Sequence, residues 1–239
     1  MTVMIRFLVV AVLLSSSVQQ LIAAAPTITS CFPAGVQKGT SKRIKLTGTW
    51  TKWPVNLDSE LPEGITITTK EDDGVLEIAV NETVPAGPYY FRIFDGEGAS
   101  NLVPIFVGSI PEINEEEPNA KPGEWKTIGL PMVLNGQLKE SGDVDIVGVK
   151  LAAGETISAM VVANNVLGSP MDGIVQIADS RGFVVAQNDD ERNLDPQVSF
   201  TATRGGIYQI RLFAFPTTPN STIGFSAAAT YIYLSLIHI

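Results

Sequence analysis

Acidic and amide side chains carry most of the chemistry open to this chain. They concentrate in two places: "PEINEEEPNA", followed by the turn "SGDVD", and "AQNDDERNLDP". The 239 residues include one histidine, His238, and one cysteine, Cys31. A Ser–His–Asp or Cys–His centre needs an imidazole to shuttle the proton, and zinc sites draw on several His or Cys ligands. The single histidine stands at the extreme end of the chain and gives Cys31 no reliable base partner, the His and Cys are too few for a zinc site, and there is no phosphate-binding loop or dinucleotide fingerprint. No feature singles out one carboxylate pair for glycoside hydrolysis. We expect no catalytic residue and no enzyme activity within this chain.

What acids can do without histidine is hold a hard cation. Calcium takes about six to eight oxygens from carboxylates, amide carbonyls and backbone. In extended backbone alternate residues share a side, which brings Glu115, Glu117 and Asn119 together, with Asp143 and Asp145 of "SGDVD" as partners. The competing reading is a solvated acidic hinge beside an Asp-rich turn. The second, weaker set is Asp189, Asp190 and Asp195, with Asn188, Asp172 and Asp179 able to gather at the same end of a sandwich. Asn and Asp also close turns by bonding their own backbone, and a structural turn is the competing reading there.

The elements that must position these residues are strands. "RIKLTG" alternates Ile44 and Leu46 against Arg43 and Lys45; "VLEIAV" places Leu76, Ile78 and Val80 on one face; "IYQIRLF" does the same with Tyr208, Ile210 and Leu212. "LVPIFVG" contains Pro104, which suits an edge strand. Turn signals such as "EDDG", "PAGP" and "DGEG" separate the runs, and no segment beyond the N-terminus has a helical period. The pattern predicts an all-β chain of two antiparallel β-sandwiches, residues 25–110 and 126–234, joined by an acidic, Pro-rich linker over 111–125. Arg6, the run "FLVVAVLL" and the small residues of "IAAAP" have the layout of a signal peptide over 1–24, with an apolar run too short to span a membrane. Cys31 then stands alone, without an internal disulfide, as a buried inert thiol. The net charge of −9 argues against a nucleic-acid partner.

An ordered series of segments carries a family likeness: "EEEPN", "LNGQLKESGDVD", "LAAGETI", "LGSPMDGIVQIADSRG", "AQNDD" and "DPQVSFTATRGGIYQIRL". In that order they resemble the bacterial pre-peptidase C-terminal (PPC) domain. The earlier segments "PTITSCFPAGVQKGTSKRIKLTGTW" and "VPAGPYYFRIFDGEGASN" look like the immunoglobulin-like module that precedes it in secreted planctomycete proteins. The resemblance implies a β-sandwich or jelly roll, and calcium ligands in the Glu-x-Glu-Pro-Asn entry and the later Asp turn. Ala120 stands where such relatives offer a further acid. The ending "LSLIHI" resembles the start of a peptide made when sequencing-adapter DNA is translated. On that reading Ser235 to Ile239 are not native and the last strand is incomplete; otherwise the hexapeptide is an ordinary apolar strand.

These readings converge on a non-catalytic accessory region of an exported protein, spacing domains or associating with a surface. Its partners would be an extracellular protein or polysaccharide and further domains of the same polypeptide, with calcium as the one implied cofactor. The alternatives are a carbohydrate- or collagen-like-ligand-binding module, for which Trp50, Trp53, Tyr89 and Tyr90 are the aromatic candidates, or a piece of a secreted peptidase.

Overall fold

Alternating apolar residues turn one side of each strand inward, and the resulting faces close on each other in pairs. The computed structural model describes residues 24–58, 60–218 and 224–239, so the expected signal peptide lies outside the described residues but for Ala24. The first unit runs β1 (Thr27–Phe32), β2 (Gly35–Gln37), β3 (Ser41–Thr49), β4 (Asn56–Asp58), β5 (Ile65–Thr69), β6 (Val75–Val80), β7 (Gly87–Asp95), β8 (Gly98–Ala99) and β9 (Val103–Gly108). One sheet has the order β1-β3-β6-β5; the other has β2-β9-β7-β4, with β8 beside β7. Ile44, Leu46, Leu76, Ile78, Phe91, Ile93 and Ile105 fill the space between them.

The second unit comprises β10 (Glu112–Asn114), β11 (Thr127–Ile128), β12 (Met132–Gln137), β13 (Asp145–Leu151), β14 (Thr156–Val162), the single turn α1 (Asn164–Leu167), β15 (Met171–Ala178), β16 (Val184–Asn188), β17 (Gln197–Thr201), β18 (Gly206–Pro216) and β19 (Ile232–His238). Its sheets are β10-β12-β19-β14-β17 and β11-β13-β18-β15-β16. Among the described residues no helix is long and apolar enough to cross a membrane. The chain is all-β, two packed pairs of sheets, and most pairings are antiparallel. Three short pairs, β2–β9, β10–β12 and β11–β13, are parallel.

Two expectations are modified. The linker is not wholly irregular, because Glu112 to Asn114 pair with Val133 to Asn135 and belong to the second sandwich. Strand β9 lies inside its sheet, yet β2 reaches only Phe106 to Gly108, so the strand is locally an edge at Pro104. The ending "LSLIHI" continues β19 between β12 and β14, with Ser235 opposite Leu134 and Val161. Tyr231, Tyr233 and Ile237 enter the core of the second sandwich, whereas Ile232, Leu234 and Leu236 face the other way. A strand buried on both faces reads as a continuous apolar run, which is the pattern of this segment.

What covers the outer face of β19 is the first sandwich. Ala34, Phe32, Phe106 and Ile110 pack against Val133, Leu167, Ile232 and Leu234. A buried polar chain crosses the same junction. The Gly35 N–H donates to Asn135 Oδ1 at 2.8 Å, and Asn135 Nδ2 donates to Glu112 Oε2 at 3.1 Å. Lys42 Nζ lies 3.5 Å from the same carboxylate. Burial holds Glu112 above the ordinary carboxylate range and Lys42 below the ordinary ammonium range, each eased by the other.

Candidate cation site at the entry to the second sandwich

Strand β10 leads the acidic stretch directly past β12, and period two does the rest. Glu115 turns inward, with its side chain only 2% exposed, and Glu117 follows at 31%. Glu116, the residue between, turns out to solvent and pairs with Lys126. Oxygens of Glu115, Glu117 and Asp145 lie within 4.8 Å of one another, the one such carboxylate group among the described residues. Asn119 is buried beside them at 5% exposure, and its Nδ2 donates to Asp145 Oδ1 at 3.0 Å.

The donors available do not match the acceptors. Glu115 Oε1 accepts the Gln137 N–H at 3.0 Å and Lys139 Nζ at 3.1 Å. Asp145 Oδ2 accepts the Tyr233 hydroxyl at 2.6 Å. Glu117 Oε2 accepts the Asn119 N–H at 3.1 Å. Among the described residues Lys139 is the one cation ion-paired with the group, 3.9 Å from Glu117 Oε1. Among the described residues no donor reaches the buried Asn119 Oδ1 atom. A buried amide oxygen without a partner is an unmet demand that a cation or a water would satisfy.

The titration behaviour has the same cause. Burial, and then the charge of Glu115, pushes Asp145 well above the usual carboxylate range. Burial raises Glu115 and Glu117, the latter also through Asp145 and Asp143. For Lys139 burial works downward, but the bond to Glu115 and the surrounding carboxylates prevail and raise it. Tyr233 is raised by burial and by Asp145 and Glu115, so its hydroxyl stays a donor. Three carboxylates and one amide oxygen are a hard, oxygen-only donor set of the kind calcium takes.

Of the five residues expected at this site, the structure brings together Glu115, Glu117, Asn119 and Asp145. Asp143 is not in the group; its Oδ2 accepts the Lys139 N–H at 2.8 Å and closes the turn. Tyr233 and Lys139 were not anticipated. A tyrosine in a strand buried on both faces must find a partner for its hydroxyl, which was the available signal. Gly136, opposite Tyr233 in the β12–β19 register, makes room for the ring, since a Cβ there would lie 2.0 Å from Tyr233 Cζ.

The acids of "AQNDDERNLDP" do other work. Asp195 is 3% exposed, and its two oxygens accept the N–H groups of Ala163 at 3.2 Å, Asn164 at 2.7 Å and Asn165 at 3.2 Å. That carboxylate closes the start of α1, and among the described residues it does not join Asp189 and Asp190 in a three-carboxylate group close enough to hold a metal. Asp189 and Asp190 are exposed, and together with burial their charge raises Asp172 across the loop. Asp179 bonds the N–H groups of Arg181 and Phe183, an Asx turn, and Asn188 accepts the Gln197 N–H. The aromatic candidates also divide. Trp50 and Trp53 pack on each other with centroids 5.5 Å apart, and their indole N–H groups are bonded to Asp73 and the Lys70 carbonyl. Tyr89 bonds the Pro85 carbonyl, whereas Tyr90 is 43% exposed. Cys31 is buried, which pushes its thiol up to about 12 and leaves it unreactive.

No family model matches the chain, and the search of curated proteins found no match. Among solved structures, the PPC domain of a collagenase from Bacillus anthracis is 16% identical, with a TM-score of 0.37, over 50% of this chain and 99% of that one. SGBP-B of a mixed-linkage glucan utilization locus from Bacteroides ovatus, in complex with a heptasaccharide, is 10% identical, with a TM-score of 0.25, over 85% of this chain and 73% of that one. SGBP-B of a xyloglucan utilization locus from Bacteroides uniformis is 11% identical, with a TM-score of 0.24, over 90% and 73%.

Proposed function

We propose that the chain is a non-catalytic accessory region of an exported protein, a fused pair of β-sandwiches that spaces and presents neighbouring domains outside the cell. Export rests on the signal-like N-terminus, and the PPC assignment of the second unit rests on its ordered series of sequence segments. A calcium ion held by Glu115, Glu117, Asp145 and the Asn119 amide oxygen stiffens the entry to that unit. The buried Asn119 oxygen without a donor, beside three convergent carboxylates, is the observation that carries this reading. A bound cation would neutralise carboxylates that burial disfavours and tie the acidic segment to β13. Equilibrium dialysis against radioactive calcium tests it. The expected result is one ion per chain, lost in Asp145→Asn; no bound ion in the folded wild type refutes the site.

A further inference from the structure

The outward face of the β2-β9-β7-β4 sheet is not polar throughout. Pro88, Tyr90, Arg92 and Phe94 of β7 alternate outward, with Tyr90 opposite Pro104 and Arg92 opposite Asp58. Tyr90 is 43% exposed, Phe94 37% and the adjacent Leu102 50%. Two hollows meet at the Tyr90–Leu102 ridge. One, of about 270 Å³, runs toward Val166, Leu167 and Gly168 of the second sandwich. The other, of about 450 Å³, is bordered by Asp58, Glu60 and Arg92. Among the described residues Asp58, Glu60, Arg92 and the Tyr90 hydroxyl make no hydrogen bond or ion pair with one another.

We infer that this groove binds a neutral polysaccharide chain, laid across Tyr90 with its hydroxyls bonded to Asp58, Glu60 and Arg92. Sugar hydroxyls donate and accept, so one chain satisfies carboxylates and a guanidinium side by side. The apolar face of a sugar ring suits an exposed tyrosine ring. A polyanion would meet two carboxylates on a chain of net charge −9. A Pro-rich peptide offers few N–H donors to Asp58 and Glu60, and covering them unpaired is costly. The inference extends the binding-module reading and does not depend on the cation site.

Native affinity electrophoresis of the full chain tests it, in gels containing hydroxyethylcellulose, galactomannan, soluble starch or polygalacturonate. Each gel is run with calcium and with EDTA. At least one neutral polymer should retard the wild type, and Tyr90→Ala should weaken that retention about tenfold without lowering the melting temperature. Tyr90→Phe should keep most of it. Retention with calcium or with EDTA supports the groove. No retention by any neutral polymer in either condition overturns it, while calcium dialysis separately decides the hinge. Retention by polygalacturonate alone, or retention that survives Tyr90→Ala, also overturns it.

Discussion

Glu115, Glu117 and Asp145 at the hinge and Asp189, Asp190 and Asp195 on the β16–β17 loop are the same chemistry in two settings. On the loop, the one buried carboxylate, Asp195, has three backbone N–H donors, and its neighbours stay in water. At the hinge the carboxylates converge where burial opposes their charge, with Lys139 as their cation and one amide oxygen unbonded. Density of acids is therefore a poor guide to a site. The informative quantity is the balance between buried acceptors and the donors that reach them.

Removing each cluster's key group should separate a cap from a cation site. The largest effect belongs to Asp195→Ala, which strands three N–H groups and should cost about 2–3 kcal/mol in urea unfolding, equally with calcium or EDTA. A cost that calcium offsets would mean the loop binds metal after all. Next, Gly136→Ala puts a Cβ against the Tyr233 ring and should cost about 1–3 kcal/mol by overpacking. A neutral outcome would show that Tyr233 does not need its place beside Asp145.

A smaller effect follows from protonation. Asp145 and Glu115 are held above the ordinary carboxylate range, so the folded chain keeps protons that the unfolded chain has already released. Their stability contribution is present in acid and lost as pH rises through the folded pKa. In EDTA the melting temperature should fall from about pH 5 to pH 7, and Asp145→Asn should flatten the fall. Glu112, raised by burial at the junction, contributes a slope of the same sign that this variant leaves in place. A melting temperature that rises with pH would contradict the hinge geometry. The smallest change is expected of Asp189→Asn with Asp190→Asn, within about 0.5 kcal/mol by urea unfolding in either condition.

Much of the frame could be read from period two alone. Ile44 and Leu46, Leu76 and Ile78, and Tyr208 and Ile210 are buried where alternation puts them. The same periodicity places Glu115 and Glu117 on one side and Glu116 on the other. The partners were not legible, because they arrive across the fold: Tyr233 is 88 residues from Asp145 and Asp195 is 31 from the N–H it bonds most closely. The turn α1 spans four residues, too few for any helical period to announce what Asp195 would cap. The apolar run of β19 signals burial on both faces, but only the packed structure shows that the first sandwich supplies the second cover.

The most direct test of the contrast is calorimetric melting of the full chain with calcium and with EDTA. Wild type, Asp145→Asn and the Asp189→Asn/Asp190→Asn pair are compared. Calcium at about 100 times its Kd should stabilise the wild type and the loop variant alike by about 2.7 kcal/mol, and Asp145→Asn not at all. No calcium-dependent rise in the wild type, or a rise that survives Asp145→Asn and disappears with the loop variant, would contradict a cation site at the hinge.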